Sequence, residues 1–365
     1  MTSVSDRLRD RIRTTGPISI ATFMAESLFH PRDGYYATKN PIGAGEDFIT
    51  APSVSQMFGE LVGLWSAQVW MNMDRPGPFQ LVELGPGTGA MMADALRAGR
   101  SVPGFLDAAK ITLIEASAAL KAVQAKTLSP SGVQMQWADR LEAVPPGPAI
   151  IWANEFLDCL SIRQAVRIDG EWRERMVALD PDDESRFVFA AGPALGQDDD
   201  LVPPRLADAA DGSLVELRPG DRQVVDALAA RFANQPGCAL FIDYGPAQSE
   251  LGDTLQALKS HEKVPPLESP GTADLTARVD FESLGAAARD AGLSVFGPVP
   301  QGQFLTGLGI EARAAALLRA NPAQKALIAR QLWRLTDHDQ MGELFKVMVI
   351  GSADMPQPPG FDVNG

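Results

Sequence analysis

Eleven residues decide the fold of this chain, Gln80-Leu-Val-Glu-Leu-Gly-Pro-Gly-Thr-Gly-Ala90. The apolar run before the glycines predicts a strand over Phe79–Glu83, and the residues after them predict a helix over Ala90–Ala98. Glycine tolerates the sharp turn that must join the two elements, and it lets a ligand approach bare backbone. The amides of such a turn lie at a helix N-terminus, where they favour a carboxylate or a phosphate. A turn with a purely structural role is the alternative interpretation.

The spacing of these glycines distinguishes between two kinds of nucleotide site. Dinucleotide-binding folds favour the pattern G-x-G-x-x-G, whereas Gly85, Gly87 and Gly89 follow the pattern G-x-G-x-G. Glu83 lies inside the strand that leads into the turn. A carboxylate at that position can hold the ammonium group of a methionine moiety, and it would repel a pyrophosphate. The segment therefore predicts S-adenosylmethionine (SAM) as the cofactor and disfavours a nicotinamide-dependent oxidoreductase.

Two more carboxylates follow the next two predicted strands. Glu115 ends a strand predicted over Ile111–Glu115, where it can accept hydrogen bonds from both ribose hydroxyls. Asp139 follows a strand predicted over Val133–Ala138, near the expected adenine edge. Either residue alone could be a solvated loop acid, but ligands of open α/β sheets bind at the carboxyl ends of the strands. The predicted cofactor-binding residues are Glu83, Gly85, Gly87, Gly89, Glu115, Asp139 and Asn154.

The fourth predicted strand, Ala149–Ala153, leads into a polar segment that contains Asn154, Glu155 and Asp158. The methyl acceptor should meet the cofactor near the carboxyl end of this strand. These three residues are therefore candidates for the substrate-facing site. The alternative is a helix N-terminus, with Asn154 as the N-cap and the two acids in the first turn.

Strands and helices alternate along most of the chain, which predicts an α/β fold of the class I, Rossmann-like type with a mostly parallel seven-stranded sheet. A hairpin of Gln164–Ile168 and Glu171–Leu179 is predicted, followed by a surface loop over Asp180–Pro204. The predicted division of the chain is an N-terminal helical cap region (1–75), a core (76–162 and 205–352), an insertion of hairpin and loop (163–204) and a flexible tail (353–365).

The composition argues against several functional classes. The formal net charge is −14 and there is no basic run, so nucleic acid is not an expected partner. No apolar stretch reaches the roughly 18–20 residues of a membrane span. Two cysteines and three scattered histidines predict neither a disulfide framework nor a metal site. The charged N-terminus lacks the apolar region of a secretory signal, which predicts a bacterial cytoplasmic protein, or a mitochondrial matrix protein if the chain is eukaryotic.

Several segments, together with the glycine turn, resemble the MidA-type methyltransferases. The resemblance runs in a consistent order from about Ile18 to Ile350. It rests on the segments Gly45-Glu-Asp-Phe-Ile-Thr-Ala-Pro, Ser55-Gln-Met-Phe-Gly-Glu-Leu-Val-Gly, Val82-Glu-Leu-Gly-Pro-Gly-Thr-Gly, Asn154-Glu-Phe-Leu-Asp, Ile242-Asp-Tyr-Gly, Asp274-Leu-Thr-Ala-Arg-Val-Asp-Phe and Met341-Gly-Glu-Leu-Phe-Lys-Val. This family includes the mitochondrial complex I assembly factor that methylates an arginine.

The resemblance implies a SAM-dependent protein-arginine methyltransferase that acts on the 49-kDa-type subunit of NADH dehydrogenase (complex I). A carboxylate near the attacking nitrogen stabilises its developing positive charge, and Glu155 is the first candidate, with Asp158 or Glu60 as its partner. Two segments depart from the family pattern. Pro52-Ser-Val-Ser stands where relatives often carry Pro-Glu-Ile-Ser, and Asp158-Cys-Leu-Ser stands where they tend to carry Asp-Ala-Leu-Pro. The second departure concerns the shape of the acceptor pocket.

Other functions remain open at this point. The fold also suits a small-molecule methyltransferase, because fold does not dictate substrate. An assembly chaperone that uses SAM only structurally is a further alternative. The apolar helix predicted over 54–71 could form a homodimer contact or could cover the core of its own chain. Tyr35, Tyr36 and Phe48 could close over the site, or they could pack in the interior.

Overall fold

The computed structural model describes residues 3–38, 50–196 and 201–361. Within these ranges the α-helices are α1 (Val4–Thr15), α2 (Ile20–Phe29), α3 (Tyr35–Thr38), α4 (Ala51–Val54), α5 (Gln56–Asn72), α6 (Ala90–Gly99), α7 (Phe105–Ala108), α8 (Ala118–Leu128), α9 (Pro219–Phe232), α10 (Phe281–Asp290), α11 (Gln301–Gly307), α12 (Ile310–Ala320) and α13 (Lys325–Thr336). The strands are β1 (Ile18–Ser19), β2 (Phe79–Leu84), β3 (Ala109–Ile114), β4 (Met135–Ala138), β5 (Ala149–Asn154), β6 (Arg163–Ile168), β7 (Glu171–Leu179), β8 (Phe187–Ala194), β9 (Leu214–Leu217), β10 (Gly237–Tyr244), β11 (Gln256–Lys259), β12 (Glu262–Val264), β13 (Asp274–Thr276), β14 (Ser294–Pro300) and β15 (Phe345–Gly351).

The largest sheet has seven strands in the order β14-β15-β10-β5-β2-β3-β4. The five strands from β10 to β4 in this order run parallel to one another. β15 runs antiparallel to both of its neighbours. All residues of β2 and β15 are buried, as expected for strands that are covered on both faces. The predicted mostly parallel, seven-stranded α/β sheet is confirmed.

Alternate side chains of this sheet enter two separate cores. In β5, Ile150 and Trp152 pack into one core, which helices α5, α6 and α11 to α13 complete. Ile151 and Ala153 pack into the other core, which α9 and α10 complete. This alternation follows from the two-residue period of a strand. Because β10, β5, β2, β3 and β4 run parallel, their carboxyl ends lie at one edge of the sheet, where a ligand can reach them.

A second sheet contains the predicted hairpin. Its order is β1-β7-β6-β9, and β8 pairs with the other edge of β7. The hairpin of β6 and β7 is confirmed. The prediction of a loop over Asp180–Pro204 is wrong, because this range contains β8, which pairs antiparallel with β7. Phe187 and Phe189 of this strand pack against the apolar cluster that contains Phe23, and the ring of Phe187 lies 5.7 Å from the ring of Phe23.

A third, small sheet was missed by the sequence prediction. It has the order β12-β11-β13 and lies between β10 and α10 in the chain. Helix α11 was also missed. Helix α13 begins at Lys325, directly after a 3-10 helix over Pro322–Gln324. The second sheet extends past residue 204, because β9 pairs with β6. We therefore propose the same division into cap, core, insertion and tail, but with the end of the insertion moved from residue 204 to Leu217.

Helix α5 covers the core of its own chain. Phe58, Val62 and Trp65 are at most 2% exposed, and Leu64 is 37% exposed. Its apolar stripe therefore packs within the chain, and the homodimer stays a prediction. Among the described residues, no helix is both long enough and apolar enough to cross a membrane.

Candidate active site

The glycine turn joins β2 to α6 as predicted, with all three glycines at positive φ angles. The φ angles of Gly85, Gly87 and Gly89 are 60°, 52° and 80°, a region that side chains with a Cβ rarely adopt. A Cβ at Gly85 would also lie 2.9 Å from the ring of Phe156. Gly89 N–H donates to the carbonyl of Pro86 at 2.7 Å, and Gly89 is the N-cap of α6. The turn therefore requires glycine and presents backbone at a helix N-terminus.

Two buried oxygen atoms near this turn accept no hydrogen bond from the described residues, Oε2 of Glu83 and Oδ1 of Asn154. The strands that carry them are neighbours, since Leu84 of β2 pairs with Ala153 of β5. Burial raises the pKa of Glu83 to about 8. Burying a polar atom without a partner is costly, so both oxygens suit a ligand that donates hydrogen bonds. The ammonium group of SAM fits this pair of acceptors, and Glu83 and Asn154 would hold it.

A buried glutamine connects the glycine turn to the second carboxylate. Gln124 Nε2 donates to the carbonyl of Gly87 at 2.8 Å and to Oε2 of Glu115 at 3.1 Å. Gln124 Oε1 accepts from Trp137 Nε1 at 2.8 Å. Burial raises the pKa of Glu115, whose Oε1 also accepts the N–H of Ser117 at 2.8 Å. Gln124 is not among the predicted site residues, and its signal in the sequence is a polar residue on the apolar face of α8.

Asp139 occupies the carboxyl end of β4 but differs from the other carboxylates. Its side chain is 76% exposed and forms an ion pair of 2.7 Å with Lys121. The hydrogen bond from Lys121 holds the pKa of Asp139 below its ordinary value. Asp139 therefore lies at the rim of the predicted cofactor site, and its role there stays a prediction.

Glu155 follows β5 in a strained conformation. Its φ angle is 50°, an uncommon value for a residue with a side chain. Oε1 accepts hydrogen bonds from Ala51 N–H and from Asn154 Nδ2, both at 3.1 Å. Burial, aided by the charge of Asp243, raises the pKa of Glu155 to about 7. The alternative of a helix N-terminus is wrong, because residues 155–160 form turns and no helix begins there.

Asp243, at the end of β10, organises the segment after Glu155. Its Oδ2 accepts the backbone N–H groups of Phe156, Leu157 and Asp158 at 3.1, 2.9 and 3.3 Å. These three bonds hold the segment in place, and the helix that was the alternative interpretation does not form. Asp158 is thereby held beside Asp243, and burial together with the charge of Asp274 raises the pKa of Asp158 well above its ordinary value.

Glu60, which was a candidate partner of Glu155, instead contacts two arginines. Its oxygens accept from Arg313 Nε at 2.6 Å and from Arg97 Nη2 at 2.9 Å. Burial opposes ionisation, but the two arginines dominate and hold the pKa of Glu60 below its ordinary value. These contacts join α5 to α6 and α12. The structure thus brings Glu155 and Asp158 together and places Glu60 in an ion-pair cluster between helices.

The aromatic residues considered as a cover lie partly in the interior. Tyr35 is fully buried, and Tyr36 stacks on Phe29 with ring centroids 5.6 Å apart. Phe48 lies outside the described residues. Among the described residues, no group of three His, Cys, Asp or Glu side chains could hold a metal ion.

Comparisons with known proteins agree with this geometry. Residues 61–299 match a family described as S-adenosyl-L-methionine-dependent methyltransferase. The chain is 36% identical to "Protein arginine methyltransferase NDUFAF7, mitochondrial" of Danio rerio over 97% of this chain and 88% of that protein. It is 33% identical to the Homo sapiens protein of the same name over 96% of this chain and 83% of that protein. These relatives are named as mitochondrial proteins, as expected if the chain is eukaryotic, and the cytoplasmic location of a bacterial chain stays a prediction.

A solved structure from Burkholderia thailandensis that holds S-adenosyl-homocysteine is 28% identical, with a TM-score of 0.84 over 99% of this chain and 95% of that chain. A native structure from the same organism is 26% identical, with a TM-score of 0.85 over 99% of this chain and 94% of that chain. The sequence match, the glycine turn and the unpartnered acceptors of Glu83 and Asn154 lead to one conclusion. The chain belongs to the MidA-like family of S-adenosyl-L-methionine-dependent methyltransferases and uses SAM as its cofactor.

Proposed function

We propose that this enzyme methylates an arginine side chain of a protein, and that the protein is the 49-kDa-type subunit of NADH dehydrogenase. The observation that carries the proposal is the placement of Glu155, whose carboxylate is fixed next to the unpartnered oxygen of Asn154. The names of the relatives support arginine as the acceptor. The resemblance to MidA-type proteins supports the choice of subunit.

The cofactor-binding side of the site consists of the glycine turn and its neighbours. Glu83 and Asn154 would hold the ammonium group of SAM, and Glu115 would accept the ribose hydroxyls. Asp139 would lie near the adenine at the rim. SAM, when bound there, supplies an electrophilic methyl group. The carboxylates after β5 then belong to the acceptor.

Glu155 and Asp158 would orient the guanidinium group through charge-assisted hydrogen bonds. Catalysis of a methyl transfer is largely the positioning of the nucleophile, so an oriented carboxylate contributes most of what the protein can add. The attacking nitrogen loses one proton when it gains the methyl group. With a pKa of about 7, Glu155 is suited to accept that proton near neutral pH. Its carboxylate also stabilises the positive charge that develops on the nitrogen.

Glu60 is not part of this proposal. Two arginines already neutralise its carboxylate. We propose instead that Glu60 stabilises the contact between α5, α6 and α12.

The test incubates the purified enzyme with the recombinant 49-kDa-type subunit and SAM that carries a labelled methyl group, and locates the label by mass spectrometry. Label on an arginine supports the proposal, and replacement of that arginine with lysine should abolish the label. Label confined to a non-arginine residue or to small molecules would refute it. Stable binding of the subunit without transfer would favour the assembly chaperone.

A further inference from the structure

The turn after β5, which carries Glu155 and Asp158, has its backbone bound by several other elements. Glu155 N–H donates to the carbonyl of Ile242 at 2.9 Å, and Ala277 N–H donates to the carbonyl of Asp158 at 2.9 Å. Oδ2 of Asp243 accepts the three N–H groups that follow Glu155. The positive φ angle of Glu155 is costly and persists only where the surrounding contacts determine it. The position of the Glu155 carboxylate therefore depends on residues outside the turn.

The carbonyl of Leu157, in the middle of this turn, binds a buried arginine. Arg218 Nη2 donates to it at 2.6 Å, and Leu160 N–H donates to it at 3.0 Å. The side chain of Arg218 is only 2% exposed, so water does not compete for this bond. A hydrogen bond from a charged donor is stronger than one between neutral groups. Arg218 therefore holds the turn from its carbonyl side, while Asp243 holds it from its N–H side.

The guanidinium group of Arg218 is itself fixed in two further directions. Nε donates to Oδ2 of Asp221 on α9 at 2.6 Å, and Nη1 donates to the carbonyl of Arg278, just before α10, at 2.8 Å. Three nitrogen atoms of one side chain thus bind three different segments. A planar guanidinium group can do this, whereas the ammonium group of lysine is a single point of charge on a flexible stem. Arg218 therefore connects the turn to α9 and α10, which both pack on the seven-stranded sheet.

We propose that Arg218 is a positioning residue for methyl transfer: it fixes the turn after β5 and thereby places the Glu155 carboxylate for the acceptor. It acts through the backbone of that turn and not by contact with the acceptor. This inference rests on the proposed catalytic role of Glu155. It goes beyond that function because Arg218 lies outside the glycine turn and outside every segment on which the family resemblance rests.

The test is a double-mutant cycle of Arg218→Lys and Glu155→Gln, in which kcat for the arginine substrate and S-adenosylhomocysteine affinity are measured for all four proteins. Arg218→Lys keeps the positive charge and removes the fork that reaches Leu157. We expect its kcat to fall by about 10-fold to 100-fold, because a displacement of about 1 Å can cost that much. Its affinity for S-adenosylhomocysteine should stay within about threefold of wild type. In the Glu155→Gln background the same substitution should lower kcat by less than about threefold, since its effect passes through the Glu155 carboxylate.

Arg231→Lys is the matched control. Arg231, on α9, also donates to two backbone carbonyls, those of Val144 at 3.3 Å and Pro145 at 2.8 Å. These carbonyls precede β5 and so lie at the opposite end of that strand from Glu155. Arg231→Lys should keep kcat within about threefold of wild type.

A second variant decides the question if Arg218→Lys does not fold. Arg218→Gln combined with Asp221→Asn removes both charges of the buried ion pair, so neither is left without a partner, and it enters the same cycle with Glu155→Gln. Losses that multiply when the substitutions are combined, or an unchanged kcat in a folded Arg218 variant, would overturn the inference and leave the proposed function intact. A wild type that transfers no methyl group to arginine would instead refute the proposed function, and this inference with it.

Discussion

The backbone N–H of Ala51 donates a hydrogen bond of 3.1 Å to Oε1 of Glu155, across 104 residues of sequence. Helix α4 thus positions the carboxylate proposed for catalysis. Asn154 Nδ2 reaches the same oxygen, so the carboxylate is oriented by both neighbours. The departure from the family pattern at Pro52-Ser-Val-Ser lies in and directly after this helix, and it therefore lies close to the position of Glu155.

The pH dependence of turnover should report the ionisation of Glu155. Because the carboxylate is the active form and its pKa is about 7, kcat/KM for the acceptor should rise with pH through about 7 and then level off. Initial rates between about pH 6 and 9 at saturating SAM measure this profile. A rate that does not change across this range would contradict the assigned role.

Glu83 should make the cofactor-free protein less stable as the pH rises. Its pKa in the folded state is about 8, above the ordinary value of 4.5, so the folded state binds the proton more tightly than the unfolded state. Its contribution is therefore fully present below about pH 4.5 and is lost as the pH approaches 8. Glu83→Gln should raise the free energy of unfolding at pH 8 by on the order of 1 kcal/mol or more. It should also weaken S-adenosylhomocysteine binding by roughly tenfold to a hundredfold.

Urea unfolding of both proteins at two pH values, with calorimetry at pH 7.5, makes these measurements. Glu171→Gln, at a side chain that is 63% exposed, serves as the control. Equal stability and equal affinity in wild type and Glu83→Gln would remove Glu83 from the cofactor site.

The glycine turn and the strand ends could be predicted from sequence because both depend on local rules. The φ angle of Gly89 is 80°, which glycine adopts without the steric cost of a Cβ. The buried strands form short apolar runs of the length that is typical of strands. Glu83, Glu115 and Glu155 could likewise be located, because Glu83 and Glu115 end predicted strands and Glu155 lies two residues after the end of another.

Gln124 should couple fold stability to cofactor affinity. Gln124→Leu would leave Trp137 Nε1 and the carbonyl of Gly87 without their buried partner. We expect a loss of about 1–3 kcal/mol of unfolding free energy and weaker S-adenosylhomocysteine binding. Denaturant titration and calorimetry test this expectation, with Gln68→Leu on the surface as the control. A variant with wild-type stability and affinity would show that the network is dispensable.

The contacts of Gln124 and Asp243 could not be predicted, because each joins elements that are separated in sequence. Asp243 accepts three N–H groups that lie 85 to 87 residues away. Strand β8 was missed for a related reason: its residues pair with β7 and pack on α2, and the polar residues around it resemble a loop. Local pattern carries no information about such partners.

Glu60 provides a contrast to Glu155. Glu60→Gln should lower the free energy of unfolding by about 1–3 kcal/mol, since the partly exposed Arg97 and Arg313 lose an acidic partner but remain hydrated. The folded variant should keep its S-adenosylhomocysteine affinity and most of its turnover. Thermal unfolding, calorimetry and initial rates test the three expectations. A Glu60→Gln variant with wild-type stability and no turnover would indicate that Glu60 takes part in catalysis.

The catalytic role of Glu155 is tested most directly by two measurements on the same preparations of wild type and Glu155→Gln: S-adenosylhomocysteine binding by calorimetry and methyl transfer to the arginine substrate. We expect Glu155→Gln to bind S-adenosylhomocysteine within about threefold of wild type and to lose at least about 100-fold in kcat. Methyl transfer at the wild-type rate by Glu155→Gln would contradict this role.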